Sequence, residues 1–369
     1  MLELWSADGA FARIEGWLRG HGFFAPGGDD LVADLFLGYG LSASIRRGAS
    51  APPPEPCPLP LAAVSLCTWA RGDTAGVRAR TGPPGTVIGP WERTWTRDEY
   101  ASAVESVRSA IARGDVYQVN LVQHLSAPFA GEPETLAASL APLHPLVARP
   151  LTGDGWTIVS ASPELFLSRR GSLVRTMPIK GTRPAGGSAE LLASAKDAAE
   201  HVMIVDLERN DLSRVCEPGS VRWPTLMSPE PMAGVEHLVS TVEGRLRDDV
   251  RLADLLSATF PGGSVTGAPK IAAVDLIAEL EPVGRGASMG ALGWVRGNGD
   301  LELALTIRTF AVAEERIHLW VGGGIVWDSD PADEVEESWT KAAPILRAID
   351  ARLPRFTGQI NFAAHSVGP

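Results

Sequence analysis

Basic residues are scarce in this chain: 33 Lys and Arg stand against 44 Asp and Glu over 369 residues, a formal net charge of −11. A nucleic-acid surface needs clustered Lys and Arg to displace phosphate counterions, so that class is excluded. Cysteine is scarcer still. Cys57, Cys67 and Cys216 form no CxxC pair and no metal-ligand spacing, which argues against a disulfide scaffold and suits a reducing compartment. The stretch Met1–Leu18 has no basic segment followed by an uninterrupted apolar run. Neither a signal peptide nor a membrane span is therefore expected, and a cytoplasmic protein is the default. Nucleotide signatures are missing as well. No strand-to-helix GxGxxG opens the chain, and Gly267 is followed by Ala268-Pro269, not by the Lys-Ser/Thr of a Walker A loop. Nothing supports a Ser/His/Asp hydrolase, and no cysteine sits in a setting that could hydrolyse glutamine. What is present is a globular composition, 45% hydrophobic and 21% charged, long enough for two ordinary domains or one large one.

Residues 1–95 read as a weakly patterned front end, 96–353 as the patterned catalytic region and 354–369 as a loose tail. In the front end the proline-rich run Ser50–Pro60 excludes helix and central strand, and Thr81-Gly-Pro-Pro-Gly85 is a second connector. From Thr96 the signals sharpen. Thr96-Arg-Asp-Glu99 is a capping box, after which Tyr100, Ala103, Val104, Val107, Ala110 and Ile111 recur at helical spacing until Gly114. Strands are expected over 116–125, 156–160, 164–168 and 173–177, the last two turned at Arg170-Gly171-Ser172. A long helix is expected from Ala189 to Leu207, and Pro269 suits the first turn of a helix from Lys270 to Leu280. Strands at 289–296, 301–312 and 316–325 follow, the first two joined by the two-residue hairpin signal Asn298-Gly299. Asp330-Pro331 opens a helix towards Leu353, with a kink or break expected at Pro344. Antiparallel hairpins with helices set between groups of strands make an α+β class.

Two carboxylate pairs stand out: Asp197 with Glu200, and Glu334 with Glu337, each three residues apart on a helix. Positions i and i+3 share a face, so each pair points one way. Solvated helix faces commonly look like this. Four converging carboxylates would instead need a hard divalent cation, and Mg²⁺, which keeps waters and takes ligands from substrate, suits them. Lys341 lies four beyond Glu337 on the same stripe, as a surface ion pair also would. The segment Thr259–Lys270, with Thr266 and Gly267, leads into a helix N-terminus; an anion site and a tight glycine turn fit it equally. Gly322, Gly323 and Gly324 end a strand, where backbone approach to a ligand or to a neighbouring strand is close. Arg308, in an apolar strand, needs a partner if buried, either a substrate carboxylate or an internal acid. Lys180 follows a strand; such a lysine is ordinarily on the surface, but as a free amine it is a nucleophile or base. His237 lies in an apolar run, where a core histidine is the commoner case.

Taken in order, several segments resemble the chorismate-utilising family of anthranilate, aminodeoxychorismate, isochorismate and salicylate synthases. They are Gly114-Asp-Val-Tyr-Gln-Val-Asn120, Ser160-Ala-Ser-Pro-Glu-Leu-Phe166, Pro178-Ile-Lys-Gly-Thr-Arg183, Lys196–His201 with Ile204–Leu212, Thr259–Lys270, Ile307-Arg-Thr309 and Gly322–Glu337. The resemblance covers roughly residues 97–350. It implies one large fold of two packed, mostly antiparallel β-sheets flanked by helices, with the site between them. It assigns Asp197, Glu200, Glu334 and Glu337 to Mg²⁺ and the ring carboxylate of chorismate, and Arg308 with Gly322–Gly324 to the enolpyruvyl carboxylate. His237 and Lys341 match active-site positions.

Family members that use water resemble one another in a lysine where this chain has Gln118, so isochorismate and salicylate formation are disfavoured. Lys180 within PIKGT resembles the aminodeoxychorismate synthases. By that likeness Lys180 attacks chorismate C2 and expels the C4 hydroxyl, and ammonia then attacks C4. Glu164 serves as acid to the hydroxyl and base to ammonia. Ammonia would come from a separate glutamine amidotransferase subunit, and the product would feed 4-aminobenzoate and folate. Two departures stand out: Ser288 replaces a tyrosine in Arg285–Gly290, and Ala185 replaces an arginine. The rivals are an anthranilate synthase component and a non-catalytic chorismate-binding subunit.

Overall fold

The computed structural model describes residues 1–67, 86–184, 186–232 and 235–349. The Thr81–Gly85 connector, Ala185 and the tail after Pro354 lie outside them.

Two antiparallel sheets, of ten and eight strands among the described residues, hold the core. The first runs Leu2–Leu4, Ala62–Cys67, Val32–Leu37, Ala291–Arg296, Leu301–Leu305, Leu165–Arg170, Leu173–Met177, Val235–Arg245, Ile179–Pro184, with Arg222–Met232 also paired to Val235–Arg245. The second is built on the strand Gln118–Ala130. Gly267–Ala268 flanks it on one side and Arg316–Ile325 on the other, followed by Thr309–Ala313, Trp156–Ser160 and Leu151–Thr152. Strands from the front end therefore sit in the same sheet as Ala291–Arg296, and their alternate residues Ala33, Leu35 and Leu37 enter the common core.

The capping box forms as expected. Glu99 N–H donates to Thr96 Oγ1 at 3.2 Å, the Thr96 N–H donates back to Glu99 Oε2 at 2.7 Å, and the helix Arg97–Arg113 ends on Gly114 at φ 81°. A cap of this kind stabilises a helix by about 1 kcal/mol. The helix buries Tyr100, Ala103, Val104 and Val107, and Tyr100 Oη donates to Leu121 O on the long strand beneath. Asp330 likewise caps Pro331–Ala348 through the N–H groups of Ala332 and Asp333. That helix runs unbroken through Pro344.

Other expectations are corrected. The single strand 301–312 is two strands, Leu301–Leu305 in the first sheet and Thr309–Ala313 in the second. Between them Ile307 N–H turns back to Leu305 O, and Arg308 takes φ 51°. The chain makes a similar change of sheet between Trp156–Ser160 and Leu165–Arg170. Backbone bonds tie the two crossings together: Leu305 N–H donates to Glu164 O and Ala161 N–H to Arg308 O, each at 2.9 Å. The long helix divides at Ser194, whose hydroxyl accepts the Asp197 N–H and caps Ala195–Ser213, leaving Ser188–Ala193 as a separate turn. The Asn298-Gly299 hairpin has a three-residue loop, because Arg296 N–H bonds to Asp300 O and Gly299 supplies the left-handed residue at φ 90°. Pro269 precedes the helix Lys270–Leu280 as its cap rather than opening its first turn. Among the described residues no helix is long and apolar enough to cross a membrane.

Candidate active site

The two crossings carry the residues of greatest chemical interest. Glu164 lies on the first of them, 5% exposed. Its Oε1 accepts a hydrogen bond from Ser264 Oγ at 2.9 Å and a long one from the Ile179 N–H at 3.5 Å. Burial pushes its carboxyl above the ordinary range, and the positive charges of Lys180 and Arg308 pull part of the way back. Arg308, on the second crossing, is pulled down by burial, with the Glu164 charge countering. A carboxyl whose burial favours the protonated form is suited to give up a proton when a leaving group needs one.

Lys180 reaches this point from the first sheet. It pairs opposite Leu238, and the register slips between Lys180 and Arg183 around Gly181, whose φ is 66°. Such a bulge re-aims the adjacent side chain. Lys180 Nζ lies 3.4 Å from Ser264 O, so Ser264 meets Glu164 through its hydroxyl and Lys180 through its carbonyl. His237 is buried on the neighbouring strand and bonds through Nδ1 to Gly181 O at 2.8 Å. A carbonyl only accepts, so Nδ1 carries the proton and the histidine pins the bulge that presents Lys180. Burial holds its imidazole below the usual range.

The glycine run forms a second wall. A Cβ on Gly322 would collide with the backbone of Leu121 and Val122 on the paired strand. On Gly323 it would meet Lys341 Nζ at 2.9 Å, Glu334 Oε2 at 3.4 Å and Glu337 Oε1 at 3.8 Å, so the helix Pro331–Ala348 lays its acidic stripe on that glycine. Gly324 faces the Gln118 amide. Gln118 is 1% exposed, and its Oε1 has no hydrogen-bond partner among the described residues. Gly267, at φ 143°, packs against the Gln118 carbonyl, where a Cβ could not fit. Thr266 is fully buried and spends its hydroxyl proton on Gly262 O at 2.8 Å, so it staples its own loop.

The carboxylate pairs are less closely assembled than the spacing suggests. Asp197 is salt-bridged to Arg183 at 3.1 Å, and Glu337 to Lys341 at 2.7 Å. Glu334 accepts from Ser329 Oγ at 2.6 Å. Among the described residues no three Asp, Glu, His or Cys side chains are grouped to hold a metal ion. The donors fit a hard divalent cation in kind, and the cradle over Gly323 exists only because no side chain fills it. As the chain stands, Arg183 and Lys341 supply part of the neutralising charge.

Some residues were missed from sequence. Ser264 is the hinge of the buried cluster, and its place in the glycine-rich segment was the available signal. Glu208, buried and bonded to Thr176, and the Lys270–Asp211 ion pair lie in the segments Ile204–Leu212 and Thr259–Lys270, which marked the region but not these residues. The string Gly286–Gly290 also matches the G-x-S-x-G elbow pattern. Ser288, however, has no exposed surface, and its hydroxyl donates to Thr306 O, so it is no exposed nucleophile. At the tyrosine position of the resemblance it thus makes an internal bond. The Arg285 ion pair with Glu281 extends to Val265 O and Asn120 O, locking the glycine loop to the long strand.

Two sheets joined by hydrogen-bonded crossings that carry Glu164 and Arg308 place this protein in a recognisable structural class. It superposes on anthranilate synthase component I from Streptococcus pneumoniae with a TM-score of 0.73 and 29% identity, covering 85% of this chain and 80% of that one. The chain belongs to the chorismate binding enzyme family, whose pattern it matches over residues 65–347. It is 39% identical over 296 residues to aminodeoxychorismate synthase component 1 of Klebsiella aerogenes, covering 77% of this chain and 64% of that protein. It is also 42% identical over 269 residues to anthranilate synthase component 1 of Streptomyces coelicolor, covering 70% and 53%. The chain thus spans less than two thirds of the length of these curated relatives.

Proposed function

We propose that this chain is the chorismate-binding component of an aminodeoxychorismate synthase, converting chorismate and ammonia to 4-amino-4-deoxychorismate. The observation that carries the proposal is the Lys180–Ser264–Glu164 arrangement, an amine and a buried carboxyl joined through one residue. Lys180 as the free amine attacks C2 of the ring. The two ring double bonds shift, the C4–O bond breaks, and Glu164 gives its proton to the departing hydroxyl, which leaves as water. Ammonia then attacks C4, the two double bonds return, the C2–N bond to Lys180 breaks, and the Glu164 carboxylate takes up the proton the new amine releases.

Arg308 and the open backbone at Gly322–Gly324 hold the enolpyruvyl carboxylate, orienting the ring for attack. Gln118 Oε1, a buried acceptor, suits an incoming N–H donor and cannot serve as a base towards water. Asp197, Glu200, Glu334 and Glu337 would hold Mg²⁺, which neutralises the ring carboxylate when bound. The relatives' designation as component 1 supports a separate amidotransferase that supplies ammonia, and the product would serve 4-aminobenzoate and folate synthesis.

A second reading, anthranilate synthesis, is favoured by the equally similar anthranilate synthase relatives. Incubating the purified chain with chorismate, Mg²⁺ and ammonium, and identifying the product by mass and chromatography, separates them. Aminodeoxychorismate is expected. Anthranilate would replace the proposal with the second reading, and chorismate binding without turnover would make this a non-catalytic subunit.

A further inference from the structure

One buried acid near the site has no part in the proposed reaction. Glu208, on the helix Ala195–Ser213, is 8% exposed and accepts a hydrogen bond from Thr176 Oγ1 at 2.9 Å. Glu164 and Glu208 are held by the same two short segments. In one, Ser264 Oγ donates to Glu164, while a Cβ on the adjacent Gly263 would stand 3.6 Å from Glu208 Cγ. In the other, Thr176 bonds Glu208 while the Ile179 N–H reaches Glu164. Beside Glu208 lies a cavity of about 10 Å³ lined by Phe166, Thr176, Asp211, Thr259 and Gly263. That is roughly the space of one water, among enough polar groups to hold it.

Buried carboxyls held by the same segments resist ionising together, so the state of one bears on the acidity of the other. We propose that Glu208 is a positioning residue for Glu164. As a neutral carboxyl across the Gly263–Ser264 turn, it lets Glu164 release its proton to the leaving hydroxyl. As a carboxylate, it opposes that release by like-charge repulsion. The proposal rests on Glu164 being the general acid.

Among the described residues the charged groups around Glu208 are few. Burial and then the Glu164 and Asp211 charges push its carboxyl up to about 8, against the Thr176 hydrogen bond and the charge of Lys270. Lys270 is already paired with Asp211, and Glu243 on the adjoining strand is committed to Arg175 and Arg222. Because the folded value lies above the ordinary 4.5, the stability from keeping Glu208 protonated is full below 4.5 and is lost as pH rises through about 8.

The test compares wild type with Glu208→Gln in two measurements: kcat against pH at fixed free ammonia, and infrared titration of the carboxyl bands in the resting protein. In wild type, kcat should decline as pH rises through about 8. The amide can still accept from Thr176 but cannot ionise, so the alkaline limb should move up by roughly one pH unit. The infrared titration should show two coupled carboxyls, reduced to one in the variant. A residue that only fills space would lower the melting temperature and leave the limb in place. Superimposable limbs, or a Glu164 band that titrates identically in both proteins, would overturn the proposal. Should the variant not fold, a single uncoupled carboxyl step in wild type would overturn it equally. Coupled titration in a wild type that makes anthranilate would overturn the substrate assignment while supporting the carboxyl pair.

Discussion

The half of the site built on the sheet crossings and the half borne on helix faces are held in different ways. Glu164 and Arg308 sit on backbone that changes sheets, and each crossing is hydrogen-bonded to the other. Their main chain can shift only if the sheets do. Glu337 and Lys341 sit on an exposed helix face, with side chains 49% and 44% exposed, and are salt-bridged to each other. Asp197 has turned to Arg183. The buried half is therefore organised before substrate arrives, as electrostatic catalysis requires. The outer half is only partly neutralised by its own arginine and lysine, which leaves negative charge for a cation to meet.

This contrast can be broken at either end. Glu164→Gln keeps an acceptor for Ser264 Oγ but cannot donate a proton to the leaving hydroxyl. We expect kcat to fall by about 10²- to 10⁴-fold with chorismate affinity nearly unchanged, measured by steady-state rates and equilibrium binding. Affinity lost in step with rate would show that Glu164 holds substrate rather than transferring protons.

Gly323→Ala should have an intermediate effect. Its methyl would meet Lys341 Nζ at 2.9 Å, the movable end of a long side chain, so the fold should survive. KM for chorismate should rise by roughly tenfold, about 1.4 kcal/mol of lost binding. The same change at Gly322 strikes backbone and should instead lower the melting temperature. Equal outcomes at the two glycines would contradict the division of the strand into a ligand-facing and a ladder-facing position.

The smallest effect is expected from Glu337→Gln. An exposed ion pair contributes less than about 1 kcal/mol, so thermal stability should barely move. The Mg²⁺ concentration for half-maximal rate should rise, and an unchanged Mg²⁺ requirement would remove Glu337 from the metal set.

Much of the fold could be read in local chemistry. The Thr96–Glu99 box, the Gly114 stop, the Asp330-Pro331 start and the strand Trp156–Ser160 each depend on residues a few positions apart, and each stands where expected. The strand break at 306–308 could not be read this way. Leu301–Val312 contains no glycine or proline, and its left-handed residue is an arginine held by a bond to a crossing more than a hundred residues away. Ser194 was hidden among good helix formers. The same limit applies to the site. Spacing identified the carboxylate pairs and the Glu337–Lys341 stripe but not Arg183, which reaches Asp197 through the tertiary fold. Lys180, Glu164 and Arg308 were legible singly; that one serine joins the first two was not.

The central claim, that Lys180 becomes covalently attached to substrate while Glu164 carries the proton, is tested most directly by acid-quenching the enzyme during turnover and mapping its peptides by mass. The account predicts a chorismate-derived adduct on the Lys180 peptide when ammonia is withheld, disappearing when ammonia is added and absent in Lys180→Ala. Full turnover by Lys180→Ala, with no adduct at any time in wild type, would contradict it.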